Sequence, residues 1–378
     1  MLGVRLPGAD EVRAMPMLEL GTTIRDTYEV ERLLGEGGFA EVYRVHHRFL
    51  GRQAMKVFKQ TGMEVRRVEA LLDEAILLSR LGHPNIVRVF DANVFECRGA
   101  TCGYFTMEYV PGGSLDRYWR SYREKFMPVE EAVEILRQAC AGIAVGHAEP
   151  TPIIHRDIKP QNILVGYDGS GMRVRVSDFG LARRVNPLTL LASAKGTLGF
   201  KPPEAFEDMD SRAADVWGLG TVLYLLLTDT LPYPALQDRT LGEVEKPLPP
   251  LRPPSFYNIR VDPELDAIAA RCLAIEPKDR FPDAVALLAD LRRWTPGSDD
   301  RTPGGRSWSK TGKVALGVHR TTSKKDAEKM VLEALRLASS PGRLTAAADL
   351  LEEALNRDAS LRERYESQLL LWRRGICM

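Results

Sequence analysis

The sequence predicts an α+β chain of two unequal lobes, a small β-rich N-lobe with one main helix and a larger helical C-lobe, followed by a short all-α module. Three observations lead there. Strand-like segments crowd the first third of the chain, helical periodicities dominate the middle, and a stretch rich in Gly, Pro, Ser and Thr then sets off a last amphipathic run. A length of 378 residues suits one large domain plus an appendage, and 44% hydrophobic with 27% charged residues suits a packed core.

Residues 1–25 carry no clear periodicity and read as an N-terminal arm. The domain over 26–294 opens with strands starting at Tyr28, Glu41 and Arg52, continues with a helix over about Glu64–Leu81, and adds two strands, VRVFDANVF and GYFTMEYV. From Ser114 the pattern turns helical. Leu115–Tyr122 is short. Val129–His147 is long, with Ala132, Ile135, Leu136, Ala139, Ile143 and Val145 mostly on one face. A strand-and-loop island over Ile153–Asp178 turns at Asp168-Gly169-Ser170-Gly171, and helices return at Ala213–Leu227, Pro263–Ala274 and Pro282–Trp294. Two such lobes make a cleft the natural ligand site. The Pro-rich run Lys246–Pro254 reads as a rigid loop rather than a docking peptide, because it lies inside a folded domain. Residues 295–322 read as a flexible linker and 323–378 as a helical module.

Composition narrows the function classes. Lys plus Arg, 52, against Asp plus Glu, 51, gives a net charge of +1, so neither nucleic acid nor a membrane surface is expected as a partner. The longest apolar run, Gly218–Leu227, falls far short of the ~20 residues that span a bilayer. The start of the chain lacks a secretory pattern, Leu2 excludes myristoylation, and Cys377 is next to last rather than fourth from the end. Five cysteines without a disulfide-like framework fit a cytoplasmic protein, with Cys97 and Cys102 as free thiols in a hairpin. His46, His47, His147 and His319 have no ligand-like spacing and read as structural or surface residues.

Chemistry begins at Leu34-Gly35-Glu36-Gly37-Gly38-Phe39-Ala40-Glu41-Val42, a glycine turn between two strands. Glycines let backbone N–H groups approach phosphate oxygens. The turn leads into a strand and lacks a following Lys-Ser/Thr pair, which argues against a dinucleotide fold and a Walker loop. Lys56 follows on the next strand, where an ammonium can hold the α- and β-phosphates, and Glu74 on the following helix is placed to pair with it.

The segment His155-Arg156-Asp157-Ile158-Lys159-Pro160-Gln161-Asn162 is decisive. With it the chain resembles the eukaryotic-type (Hanks-type) serine/threonine protein kinases over about Tyr28–Trp294. The resemblance implies a bilobal protein-kinase fold, ATP and Mg2+ (with Mn2+ as the alternative ion) as cofactors, and protein substrates. Asp157 matches the catalytic base, Lys159 the cation beside the transferring phosphoryl group, Asn162 and Asp178 the metal ligands. Phe179, with Leu78, Val89 and His155, resembles the family's apolar stack. Met107-Glu108-Tyr109-Val110 resembles the gatekeeper and hinge, with backbone groups of Glu108 and Val110 at the adenine edge and Val42, Ala54 and Leu164 on its faces. Gly196–Glu204 resembles the substrate-positioning loop, departing from the pattern at Lys201 and Pro202. Arg280 fits as the partner of Glu204, and Asp215 as the residue that holds the catalytic loop.

A pseudokinase scaffold acting through the tail would lack one of Lys56, Asp157, Asn162 or Asp178, and none is missing. Small-molecule kinases usually carry His-Gly-Asp at the catalytic loop. Arg156 beside the base implies a phosphate on the activation loop, where Thr189 and Ser193 are the hydroxyl residues between Gly180 and Gly196, ahead of Thr197. In the tail, Ala327, Met330, Val331, Ala334, Leu335 and Ala338 and then Leu344, Ala347, Ala348, Leu351, Ala354 and Leu355 fall at helical spacing, and Ser360 with Glu363 reads as a capping box for a third helix. The second stretch weakly resembles half a tetratricopeptide repeat. One repeat cannot bury its own apolar face, so the stripe must dock on the kinase domain, on a second copy, or on another protein. A partner-binding or self-associating module is the reading preferred from sequence, with a brace for the C-lobe as the alternative.

Overall fold

Alternating burial builds the first unit. In the computed structural model, which describes residues 16–38, 40–59, 81–97, 99–122, 125–179, 198–204, 211–234, 248–296, 324–340 and 342–376, strands β1 (Thr23–Ile24), β2 (Tyr28–Glu36), β3 (Ala40–His47), β4 (Gly51–Phe58), β5 (Val89–Cys97) and β6 (Ala100–Glu108) form one antiparallel sheet in the order β1-β2-β3-β4-β6-β5. This sheet lies within the unit formed by Met1–Ala75 and Val89–Tyr109. The expected helix near Glu64–Leu81, with Glu74 and Leu78, lies outside the described residues. One sheet face packs Tyr28, Val30, Tyr43, Val45, Met55 and Tyr104 into a core. Period-2 alternation puts Val42, Ala54, Lys56, Phe105 and Met107 on the other face, as cross-strand partners Val42–Lys56, Lys56–Phe105 and Ala54–Met107.

Residues 16–24, read from sequence as part of an arm, belong to that core. Leu18 is buried and its N–H donates to Tyr43 Oη at 3.0 Å, the Met17 N–H donates to Glu41 Oε2 at 2.8 Å, and β1 pairs with β2. A two-residue strand and one buried leucine leave no periodicity to read. Cys97 and Cys102 are buried free thiols, as expected.

The second unit, Ile76–Arg88 with Val110–Met378, is mostly helical. Its helices are α1 (Leu115–Arg120), α2 (Val129–His147), α3 (Arg212–Thr228), α4 (Pro263–Cys272) and α5 (Ala284–Arg293), with a hairpin of β7 (Ile163–Asp168) and β8 (Gly171–Val176). Side-chain caps start four of these helices: Ser114 for α1, Ser211 for α3, Asp262 (with Pro263 in the first turn) for α4 and Asp283 for α5. Helix α3 is buried on all sides, as its uniformly apolar sequence requires. Among the described residues no helix is long and apolar enough to cross a membrane.

Three tail helices, α6 (Lys324–Ala338), α7 (Leu344–Leu355) and α8 (Arg362–Arg373), complete this unit. Helix α7 is the middle layer, with Ala347, Ala348, Leu351, Ala354 and Leu355 all buried against its two neighbours. The expected capping box is replaced: Asp358, a stronger acceptor than a hydroxyl, takes the Ser360 N–H and Oγ–H and caps a 3-10 turn at Ala359–Leu361, and α8 starts at Arg362.

Of the three covers that the sequence left open, the tail takes the first. Glu352 Oε1 accepts from the Gly112 and Tyr167 N–H groups at 3.0 and 3.2 Å, and its Oε2 accepts from Arg373 at 2.6 Å. The Arg362 guanidinium lies 3.8 Å from the ring centre of Tyr118, and the Ala359 N–H donates to the Ser121 carbonyl at 3.3 Å. Arg374 Nε donates to the Gly169 carbonyl at 2.8 Å. Gly112 makes the fit: a Cβ there would lie 2.1 Å from the Val165 carbonyl oxygen and 2.2 Å from Asn356 Nδ2.

Candidate active site

In the first unit, β2 and β3 pair up to Glu36 opposite Glu41, and the turn closes with the Gly37 N–H donating to the Ala40 carbonyl at 2.9 Å. Ala40, in place of a third glycine, is buried. Lys56 shares a face with Val42, Ala54 and Met107, and its Nζ lies 5.9 Å from the ring centre of Phe105. Glu41, expected with the nucleotide-binding residues, sends its side chain to the opposite face. There it accepts from the Tyr43 hydroxyl and Met17 and stands 3.7 Å from Lys59. Strand alternation is the reason, since Glu41 and Val42 cannot share a face. The Glu36 carboxylate also pairs with Lys59, at 2.5 Å. Leu34 and Gly35 lie on the same stretch of β2. Met107 and Glu108 end β6, opposite Ala54 and Gln53.

The second unit holds the loop His155–Asn162, read from sequence as the catalytic loop. Asp215, at the start of the buried helix α3, accepts from the His155 N–H (2.7 Å) on Oδ2 and from the Arg156 N–H (2.8 Å) on Oδ1. His147 Nδ1 accepts from the Ala284 N–H at 3.1 Å, so its proton sits on Nε2, 2.9 Å from Asp215 Oδ2. His155 Nδ1 accepts from the Asp157 N–H at 3.2 Å while Nε2–H donates to the Ser177 carbonyl at 2.8 Å. Burial pushes the His155 imidazole down, which keeps it neutral for both roles. Its ring packs 4.8 Å from that of Phe179, a described pair from the expected apolar stack.

Asp157 is held at one oxygen. Lys159 Nζ lies 2.7 Å from Oδ2, and Asn162 Nδ2 donates to Oδ2 at 2.9 Å and to the Asp157 carbonyl at 2.8 Å. Burial opposes the charge, but the ammonium groups of Lys159 and Lys201 outweigh it and hold the carboxyl below its ordinary range. Asn162 commits its nitrogen to Asp157, which leaves Oδ1 as an oxygen donor of the hard kind that Mg2+ takes, alongside the Asp178 carboxylate. Arg156 (φ +68°) and Asp178 (φ +62°) both adopt left-handed backbone, strain of the kind found at functional sites. Leu164 lies on β7, where it pairs with Ser114, and Val110 packs against Gly166 of the same strand. Phe39, Glu74, Gly180, Thr189, Ser193 and Thr197 lie outside the described residues.

Glu204 and Arg280 meet as expected, in a buried two-point pair at 2.5 and 2.9 Å. Arg280 also donates to the carbonyls of Ala213, Ala274 and Ile275 and lies over Trp217. Replacing Glu204 by Gln leaves the guanidinium buried without its counter-charge. The variant is expected to lose about 2 kcal/mol of unfolding free energy, measured by urea denaturation.

Two residues carry more than their sequence reading. His147 is a buried strut under the catalytic loop, and its place four residues after Ile143 on the apolar face of α2 was the available signal. Lys201 reaches Asp157, and its only signal was a charge where an apolar residue was expected.

A family model of the protein kinase domain matches residues 28–289. The serine/threonine-protein kinase PknB of Mycolicibacterium smegmatis is 32% identical over 292 residues, covering 71% of this chain and 43% of that protein. The calcium/calmodulin-dependent protein kinase type II of Caenorhabditis elegans is 30% identical over 274 residues, covering 72% and 37%. The chain thus spans less than half the length of these curated relatives. Among solved structures, the PknI kinase domain of Mycobacterium tuberculosis matches with a TM-score of 0.55 at 25% identity, over 73% of this chain and 98% of that one.

Proposed function

Because this chain belongs to the protein kinase family, we propose that it transfers the γ-phosphoryl group of ATP to serine and threonine hydroxyls of proteins, itself included. The observation that carries the reading is the asymmetric Asp157 carboxylate, with Oδ2 occupied by Lys159 and Asn162 and Oδ1 without a hydrogen bond among the described residues. In this reading Oδ1 accepts or orients the incoming hydroxyl. Lys159, beside it, neutralises charge on the group in transit. Asn162 Oδ1 and the Asp178 carboxylate would hold Mg2+, whose chemistry when bound is neutralisation of the phosphate oxygens. Lys56 holds the α- and β-phosphates, the Gly35–Ala40 turn offers backbone N–H groups, and Val42, Ala54 and Met107 offer an apolar surface to adenine.

Label from γ-labelled ATP should enter the chain itself and myelin basic protein with Mg2+ present, on serine and threonine alone. Mass spectrometry should find Ser193 or Thr189 among the modified residues, in the reading that a phosphate there pairs with Arg156. No incorporation into either acceptor would sink the proposal. The pseudokinase alternative gains no support, since every residue it would lack is present. Buried free thiols at Cys97, Cys102, Cys140 and Cys272 favour a reducing compartment such as the cytoplasm. We read 323–378 as a brace on the C-lobe, since the apolar stripe that argued for a partner or a second copy is covered within the chain, while the tetratricopeptide likeness rests on the α6–α7 hairpin alone.

A further inference from the structure

Lys201 has no part in the family pattern, yet it meets the catalytic loop twice. Its ammonium donates to the Arg156 carbonyl and stands 3.9 Å from Asp157 Oδ1. That distance is too long for a hydrogen bond, so the lysine holds the charge of the carboxylate without occupying its open oxygen. The Arg156 peptide is where leverage is greatest. Its backbone is left-handed (φ +68°), a conformation that a bulky residue keeps only when its surroundings enforce it. The Arg156 N–H is tied to Asp215 Oδ1 at 2.8 Å, and its carbonyl is tied to Lys201. The residue before the base is therefore clamped from both sides. Lys201 is itself anchored, because Glu204, three residues on, is locked to Arg280.

We propose that Lys201 is a positioning residue for phosphotransfer, clamping the Arg156 peptide and keeping Asp157 Oδ1 turned toward the incoming hydroxyl. The inference rests on the reading of Asp157 given above. A rival arrangement, in which the ammonium plugs the place of the hydroxyl, predicts the opposite change in rate.

The test is steady-state kinetics of the full chain with Mg-ATP and myelin basic protein, comparing wild type with K201M, K201R, D157N and the D157N/K201M double variant. K201M should lower kcat about 10- to 100-fold, the scale of a misplaced reacting group, with KM for ATP within about twofold. K201R, which keeps charge and donor, should recover to within about fivefold of wild type. In the D157N background K201M should add no further loss, because the lysine acts through the aspartate. Equal losses in both backgrounds, a K201R no better than K201M, or a faster K201M would each overturn the proposal while leaving the Asp157 reading intact. A D157N enzyme as fast as wild type would overturn both. Melting temperatures identify a variant that fails to fold, and K201Q then carries the same comparison as K201M.

Discussion

Replacing Asp157 by Asn is expected to lower kcat by ~10²- to 10⁴-fold, the range for a positioned proton acceptor, with little change in the affinity for ATP. The substitution keeps the size of the side chain and removes its charge. Lys159 at 2.7 Å and Lys201 at 3.9 Å then lose the anion they converge on, and the group facing the hydroxyl can no longer take its proton. Asp178→Asn should fail for a different reason, through weaker metal binding, so excess Mg2+ or a change to Mn2+ should restore part of its rate but none of the rate of D157N. Single-turnover label transfer measures both. An Asp157→Asn enzyme within about threefold of wild type would leave the carboxylate with no part in the chemistry.

Removing the tail is the second large effect. Cutting the chain at Pro296 strips Glu352 from the Gly112 and Tyr167 N–H groups, Arg362 from the Tyr118 ring and Arg374 from the Gly169 carbonyl. Losing these hydrogen bonds and the Arg362–Tyr118 contact, and exposing to water the apolar surface around them, should lower stability by at least ~3 kcal/mol, and a domain of this size then melts roughly 5 °C lower. A partner module predicts unchanged melting instead, so calorimetry separates the two.

The docking should also depend on pH. Burial pushes the Glu352 carboxyl from 4.5 up to about 7, against the pull of Arg373 and the Gly112 N–H. A group whose folded pKa is raised contributes stability that is full below its unfolded value and lost as pH rises through the folded one. Wild type should therefore lose stability relative to E352Q between about pH 4.5 and 7, by up to ~3 kcal/mol. Parallel pH–melting curves for the two proteins would rule this out.

Much of the site was legible because its residues are bound together by order along the chain. His155 through Asn162, Asp178, Glu204, Asp215 and Arg280 come in a fixed order of residue types, so type and spacing single them out before any fold is known. Helices and strands were legible by the same token wherever one face is buried, since burial writes a period of 3.6 or 2 into the sequence. Residues 16–24 escaped because so short a strand writes no period. The Glu41 side chain faces away from Val42 because a motif gives neighbours along the chain, while the pleat sends adjacent side chains to opposite faces.

What tertiary structure alone decided is who meets whom over long separations. Nothing in local pattern pairs Glu352 with Gly112, 240 residues earlier, or sets Arg362 over Tyr118. The sequence by itself determined that the tail carries an apolar stripe in need of cover and that the kinase loop carries a carboxylate in need of partners. The stripe specifies only the chemistry of its cover, because hydrophobic attraction has no direction and any apolar surface satisfies it. Close packing at Gly112 and Gly166, and hydrogen bonds that the buried Gly112 and Tyr167 N–H groups must find somewhere, select one surface, and both exist only once the chain has folded.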